Sequence, residues 1–150
     1  MEETSPALPP ARFHVFVYGT LRPGGFYARK LCLPYPHRYT PAVVDGRLYH
    51  LKPGYPGLTR GADAVRGEVL SFDDPTLLRD LDRLEDYHAD APPARNLYIR
   101  ECAEARDPAT GHPLGEVLLY RMTEDRVRQY GGVYLSEAEW SVDRYSGEER

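Results

Sequence analysis

Cysteine is nearly absent from this chain: Cys32 and Cys102 are its only two. Two thiols make neither a disulfide framework nor a CxxC site, so both read as small core residues and a reduced, cytoplasmic setting is expected. Lysine is as scarce, with Lys30 and Lys52 alone, and neither stands in an apolar run that would depress its pKa. No apolar stretch approaches the roughly 20 residues of a membrane span. Before residue 130 the only serines are Ser5 and Ser71, and neither sits in a GxSxG elbow. His14, His37, His50, His88 and His112 show no metal-ligand spacing, so no metal and no cofactor is expected. Basic residues do not cluster, and 19 Lys and Arg against 23 Asp and Glu leave a net charge of −4. That balance argues against a nucleic-acid or anionic-membrane partner.

Tyrosine is what the chain has in excess: twelve, against four phenylalanines. A tyrosine buries a ring while offering a hydroxyl, so a polar-lined cavity and an amphipathic aromatic core are both open as uses for them. The hydrophobic share of 41% and charged share of 28% are those of a soluble globular domain. Residues 1–12, acidic and proline-rich, read as a disordered arm and as neither a secretory signal nor a transit peptide. A single domain is expected over 13–145, with 146–150 as a polar tail. Nothing in the sequence fixes an oligomeric state.

FHVFVY, from Phe13, reads as a strand buried on both faces. It runs into GTLRPGG, a loop rich in Gly and Pro, and FYARKLCL after it suggests a short helical turn. Further strands are expected at 42–51, 64–72, 97–105 and 115–122, with PGYPGLTRG as a loop between the first two. The clearest helix spans 75–88, where Asp74 suits the N-cap and Pro75 the first helical position. The last stretch, from residue 126, carries mixed signals. Strands outnumber helices and short turns join neighbours, which predicts an α+β fold: a small mixed, mostly antiparallel β-barrel with flanking helices.

Two places on this scaffold suggest chemistry. On a helical wheel Leu77, Leu78, Leu81 and Leu84 form one apolar arc, and Glu85 falls inside it, at about 40° from Leu81. A carboxylate aimed at a core is costly, and burial raises its pKa toward the range useful for proton transfer. On the pattern alone, a hydrogen-bonded or ion-paired structural role for Glu85 stays open, as does a helix rolled to expose it. His88 would share the arc if the helix persists. The second place is Tyr18–Gly25 (YGTLRPGG), where glycine after a buried strand lets consecutive backbone N–H groups converge on an anion. A plain tight turn is the alternative, and the absence of GK[ST] excludes a phosphate-binding P-loop.

The order of the motifs is more specific than any one of them. FVYGTLRPG (16–24), GRLYHL (46–51), GYPGL (54–58), VRGEVL (65–70), LDRLEDY (81–87), YIR (98–100) and VLLYRM (117–122) follow in series. In this the chain resembles the γ-glutamylcyclotransferase family, with its short AIG2-like and γ-glutamylamine cyclotransferase branches, over about residues 13–122. The resemblance implies that Tyr18, Gly19, Thr20 and Leu21 line the substrate pocket, their amides holding the α-carboxylate of a γ-glutamyl group. It implies that Glu85, in LDxxE, is the catalytic acid/base, that Tyr120 faces the pocket, and that Tyr98 and Arg100 form a recurrent Y-x-R pair of structural or site role. The implied reaction is intramolecular cyclisation of a γ-glutamyl amine or peptide to 5-oxoproline and a free amine, with no cofactor. Two other readings remain at this point: a non-catalytic metabolite-binding module of the same fold, and removal of a γ-glutamyl protecting group in natural-product biosynthesis.

Overall fold

The computed structural model of the chain describes residues 8–141. Strand β1 (Phe13–Val17) lies inside the sheet, antiparallel to β3 (Pro56–Phe72) from Phe13↔Phe72 to Val17↔Glu68. On its other edge it meets β5 (Pro113–Arg121) in parallel at Val15↔Leu118. β2 (His37–His50) and β3 form a long antiparallel hairpin from His37↔Phe72 to His50↔Pro56, with a register shift between Gly46 and Arg47. β4 (Ile99–Arg106) pairs antiparallel with β5, and the bridge Val43↔Arg106 returns β4 to β2. β6 (Val133–Tyr134) adds to β2 at Tyr49 and His50. The six-stranded sheet is therefore mixed, mostly antiparallel and ring-like. Two of its junctions, β1–β5 and β2–β4, each rest on a single registered pair, so it is a ring rather than an evenly laddered barrel.

The ring separates two apolar clusters. One draws on all five ring strands, with Phe16, Val44, Leu58, Ala105 and Leu119 in contact, and Trp140 fully buried among them. The other holds the alternate residues Val15, Val17, Leu70, Phe72 and Tyr120, together with Leu77 and Leu81 of helix α1 (Pro75–Leu84). β1 is buried on both faces because it serves both clusters, which is why its sequence does not alternate in polarity. Its Val15 and Val17 point one way, Phe16 and Tyr18 the other.

Several boundaries differ from the sequence expectation. β2 starts at His37 rather than 42, and β3 reaches back to Pro56 through the segment read as a loop. There Pro56, Gly57, Leu58 and Thr59 are buried, and pairing with β2 satisfies backbone groups that glycine and proline content had suggested were turning. FYARKLCL yields one turn of π-helix at Ala28–Cys32. The late mixed stretch contains helix α2 (Glu124–Gln129), where the Thr123 side chain accepts from the Arg126 N–H. α1 starts as expected, with the Asp74 side chain accepting from the Thr76 N–H and Pro75 following it.

It ends four residues early. The Tyr87 N–H bonds the Asp82 carbonyl at 2.9 Å and the Asp86 N–H the Arg83 carbonyl at 3.1 Å. With Asp86 at φ 54°, this is a Schellman termination in which Asp replaces the usual glycine. Glu85 is thus the C-cap of α1, not an interior residue. Of the expected N-terminal arm, residues 1–7 lie outside the described residues, as does the expected tail 146–150. Leu8 packs against the cluster around Trp140, and the Arg12 N–H donates to the Asp73 carboxylate at 2.9 Å. Among the described residues no helix is long and apolar enough to cross a membrane.

Candidate active site

A cavity of about 470 Å³ opens where β1 ends, and Tyr18, Gly19, Thr20, Leu21, Glu85 and Tyr120 all line it. Each arrives by a different local route. Tyr18 follows the last residue of β1, and Gly19–Leu21 make the turn beyond it. Tyr120 stands near the end of β5, on the far side of the β1–β5 parallel contact. Glu85 is delivered by the end of α1, whose Leu77 and Leu81 anchor the helix in the cluster with Val15, Leu70 and Phe72.

The turn is held from several sides. The Arg22 N–H bonds the Gly19 carbonyl at 2.9 Å, the Gly25 N–H bonds the Arg22 carbonyl at 2.8 Å, and the Ala28 N–H bonds the Thr20 carbonyl at 3.2 Å. Glycine is required at 25, because a Cβ there would lie 2.2 Å from the Thr20 carbonyl oxygen. The Arg22 guanidinium reaches Glu68 of β3 at 2.8 and 3.0 Å, Glu139 at 3.0 Å and the Trp140 carbonyl at 2.8 Å. Tyr39 of β2 donates its hydroxyl to the Leu21 carbonyl at 2.8 Å. Within this bracing, none of the described residues accepts a hydrogen bond from the N–H of Gly19, Thr20 or Leu21. Three consecutive donors beside a cavity are suited to an anion.

The tyrosines build the wall. Tyr18 donates its hydroxyl to the Tyr120 carbonyl, and Tyr98 donates to the Pro56 carbonyl at 2.5 Å. Tyr120 donates to Asp82 at 2.7 Å. Asp82 also accepts two hydrogen bonds from Arg100, at 2.7 and 2.9 Å. Burial, with the charge of Glu85 adding to it, raises the pKa of Tyr18 and Tyr98 well above the phenol value. Tyr120 is raised as well, first by burial, then by its bond to Asp82. These phenols stay neutral, and their hydroxyls are already engaged. The tyrosine excess seen in the sequence therefore serves in part to line this cavity with ring surface.

Glu85 is the exception. Among the described residues nothing hydrogen-bonds its carboxylate. It keeps some accessible surface, and it lines the cavity. Crowding by the surrounding side chains withdraws enough water to push its pKa up to about 8. Asp82, one turn earlier on the same helix, is paired on both oxygens; Glu85 is paired on neither.

Sequence reasoning missed some members of the site. Tyr55 and Pro56 come from the segment read as a loop, and Phe26, Tyr27 and Leu97 from segments without a motif. Pro56 is pressed against the turn, since a Cβ on Gly19 would lie 2.8 Å from its Cγ. Tyr98 lines the cavity, whereas its Y-x-R companion Arg100 acts on Asp82. His88 does not join the site; helix termination leaves it exposed, its Nε2 3.1 Å from Asp86. Among the described residues no group of three or more His, Cys, Asp or Glu is placed to hold a metal ion.

Against known proteins, residues 15–142 match the family model described as gamma-glutamyl cyclotransferase, AIG2-like. No curated protein matches the sequence. An AIG2-like protein from Mus musculus has a crystal structure similar to this chain at TM-score 0.69 and 20% identity, covering 94% of this chain and 99% of its own. A solution structure from Arabidopsis thaliana is similar at TM-score 0.58 and 23% identity, covering 94% and 76%. The allophanate hydrolase of Kluyveromyces lactis contains a similar unit, at TM-score 0.58 and 19% identity, covering 85% of this chain and 21% of that one. At these identities the likeness to solved structures is one of fold.

Proposed function

Because the chain belongs to the gamma-glutamyl cyclotransferase, AIG2-like family, we propose that it cyclises a γ-glutamyl amine or peptide, releasing 5-oxoproline and a free amine. The observation that carries this reading is Glu85: a carboxyl with a raised pKa and no hydrogen-bond partner among the described residues, lining the cavity that also holds the amides of Gly19–Leu21, which none of the described residues engages. The amides receive the substrate's α-carboxylate. Tyr18, Tyr98 and Tyr120 form neutral walls that fold the chain of the substrate back on itself.

A γ-glutamyl group carries its own nucleophile. The α-amine nitrogen attacks the γ-carbonyl carbon, forming the five-membered ring, and the bond from that carbon to the leaving nitrogen breaks. Well-oriented intramolecular attack is worth about 7–11 kcal/mol against the bimolecular reaction. The α-amine must first give up a proton, which Glu85 accepts in its ionised form. Glu85 then returns that proton to the departing nitrogen; the attacking nitrogen's second surplus proton follows by the same carboxylate, so the amine leaves as its ammonium and no net proton is gained or lost by the enzyme. A pKa raised to about 8 narrows the gap between the carboxylate and an amine, so proton exchange between the two is less uphill than for a solvated glutamate.

The test is Glu85→Gln, which keeps size and polarity but removes the titrating proton. The expected result is a loss of 5-oxoproline formation of about 10²–10⁴-fold with a folded protein. A folded variant that retains near wild-type turnover would remove Glu85 from the chemistry.

A further inference from the structure

The cavity is larger than a γ-glutamyl group needs and uneven in its chemistry. Even at the roughly 30 Å³ a water molecule occupies in the liquid, the about nine non-hydrogen atoms of that group fill roughly 270 Å³. Of the 470 Å³ present, space for a further group the size of an aromatic ring remains. The unengaged amides and Glu85 supply the polar contacts. The rest of the lining includes Phe26, Tyr27, Tyr55, Leu84 and Leu97, and among the described lining residues none is Lys, Arg or His. Phe26 is 44% exposed, unusual for so large an apolar side chain, and stands edge-on to Tyr27 with ring centroids 4.8 Å apart.

Resting on the cyclotransferase reading above, we infer that this site selects γ-glutamyl amides whose leaving amine has an apolar, preferably aromatic, body and carries no carboxylate. A carboxylate on the leaving group would enter a region with no lining cation among the described residues, so its desolvation would go without ionic compensation. The negative faces of the aromatic rings add to that rejection. An amine with a second ammonium is disfavoured for a different reason. Lys30 already places its own ammonium 5.6 Å from the Phe26 ring centroid, bringing positive charge to the same ring. Lys30 is exposed, and an exposed ion pair with a carboxylated leaving group contributes little. An apolar ring, by contrast, completes the Phe26–Tyr27 pair.

The experiment compares 5-oxoproline release from γ-glutamyl benzylamide, γ-glutamylglycine and γ-glutamylputrescine by the purified chain. The benzylamide is expected to show a kcat/KM at least about tenfold above each of the other two. Phe26→Ala is expected to lower kcat/KM for the benzylamide at least fivefold more than for γ-glutamylglycine. Equal kcat/KM across the three, or an equal loss for all in Phe26→Ala, overturns the inference. Binding of the same three compounds to Glu85→Gln, read by calorimetric titration, keeps the two readings apart. No turnover of any amide, with tenfold tighter binding of the benzylamide, sinks the cyclisation and leaves the selectivity standing. Equal affinities there sink the selectivity whatever the turnover.

Discussion

Two clefts on this molecule treat charge in opposite ways. A groove of about 280 Å³ is lined by Thr59, Arg60, Glu101 and Arg121 among others. There Glu101 meets Arg60 at 2.9 Å and Arg121 at 3.1 Å, while Arg121 also donates to the Thr59 carbonyl at 3.1 Å. Arg60, Glu101 and Arg121 all have partners within the protein, and the remaining lining charge, Glu124, is exposed. In the β1-end cavity Glu85 has none among the described residues, and none of these engages the three backbone donors beside it. A surface that has satisfied its own groups offers a ligand little to bind, whereas one that leaves them unsatisfied keeps an interaction in reserve, at a cost in stability. On energetic grounds independent of family, this contrast favours the second cleft as the place for the proposed chemistry.

The sharpest way to break it is to neutralise one carboxylate in each cleft. Glu85→Gln is expected to cut 5-oxoproline formation by about 10²–10⁴-fold, and Glu101→Gln to change it less than about twofold. A large loss in Glu101→Gln would mean that the paired groove, and not the unpaired cavity, carries the chemistry.

The next effect is on the frame of the cavity. Arg22 and Glu68 have side chains only 14% and 17% exposed, and the guanidinium spans Glu68, Glu139 and the Trp140 carbonyl. Arg22→Met strands the Glu68 carboxylate in a poorly hydrated place and also releases Glu139, whose side chain is 42% exposed. A destabilisation of about 3 kcal/mol is expected, with a fall in Tm of roughly 6–12 °C for a chain of this size. Urea denaturation measures it. A loss below about 1 kcal/mol would show that the turn stands without its clamp, and the unengaged amides would then owe their placement to the backbone alone.

A smaller effect has the opposite sign. The pKa of Glu85 is about 8 in the folded chain against 4.5 for a fully solvated glutamate, so the folded state binds the proton more tightly than the unfolded state does. Stability therefore falls as pH rises from about 4.5 to about 8 and levels off above that. Glu85→Gln removes this penalty. Allowing for solvent in the cavity, it is expected to be about 1–3 kcal/mol more stable than the parent at pH 8.5, with no gain near pH 4. Equal stabilities at pH 8.5 would show that Glu85 is as well solvated as any surface carboxylate.

How much of this was readable in advance follows the range of the interactions. The apolar arc of α1 and the position of Glu85 within it depend on residues four and eight apart, so the wheel found them. The wheel assumed a helix through 88, yet Glu85 as C-cap still lies over the cavity, because the cap residue continues the arc by one step. The mostly antiparallel sheet was legible from strand number and short turns. Its ring-like closure was not, since it depends on Val43 meeting Arg106. The role of Arg22 was likewise hidden: its partners Glu68 and Glu139 lie 46 and 117 residues away, and nothing local marks them. Tyr55 and Pro56 were missed because turn-forming residues masked a strand held by its pairing with β2. The twelve tyrosines were conspicuous, but only the coordinates show hydroxyls tied to carbonyls and to Asp82.

The smallest effect tests the hinge between the two carboxylates of α1, paired Asp82 and unpaired Glu85. That helix stops because Asp86 adopts φ 54° and closes the Schellman bonds to Asp82 and Arg83. A left-handed conformation costs a non-glycine residue about 1–2 kcal/mol, with Asp more tolerant than most. Glycine avoids that cost but loses roughly 0.5–1 kcal/mol of chain entropy on folding. The Asp86–His88 contact forgone is exposed on both sides and contributes little. Asp86→Gly is therefore expected to raise stability by about 0.5 kcal/mol, or roughly 1–2 °C in Tm, and to leave kcat/KM within about twofold. A fall in stability would mean that the Asp86 side chain is needed in its own right. Glu85 would then be aimed at the cavity by that residue, and not by the end of the helix.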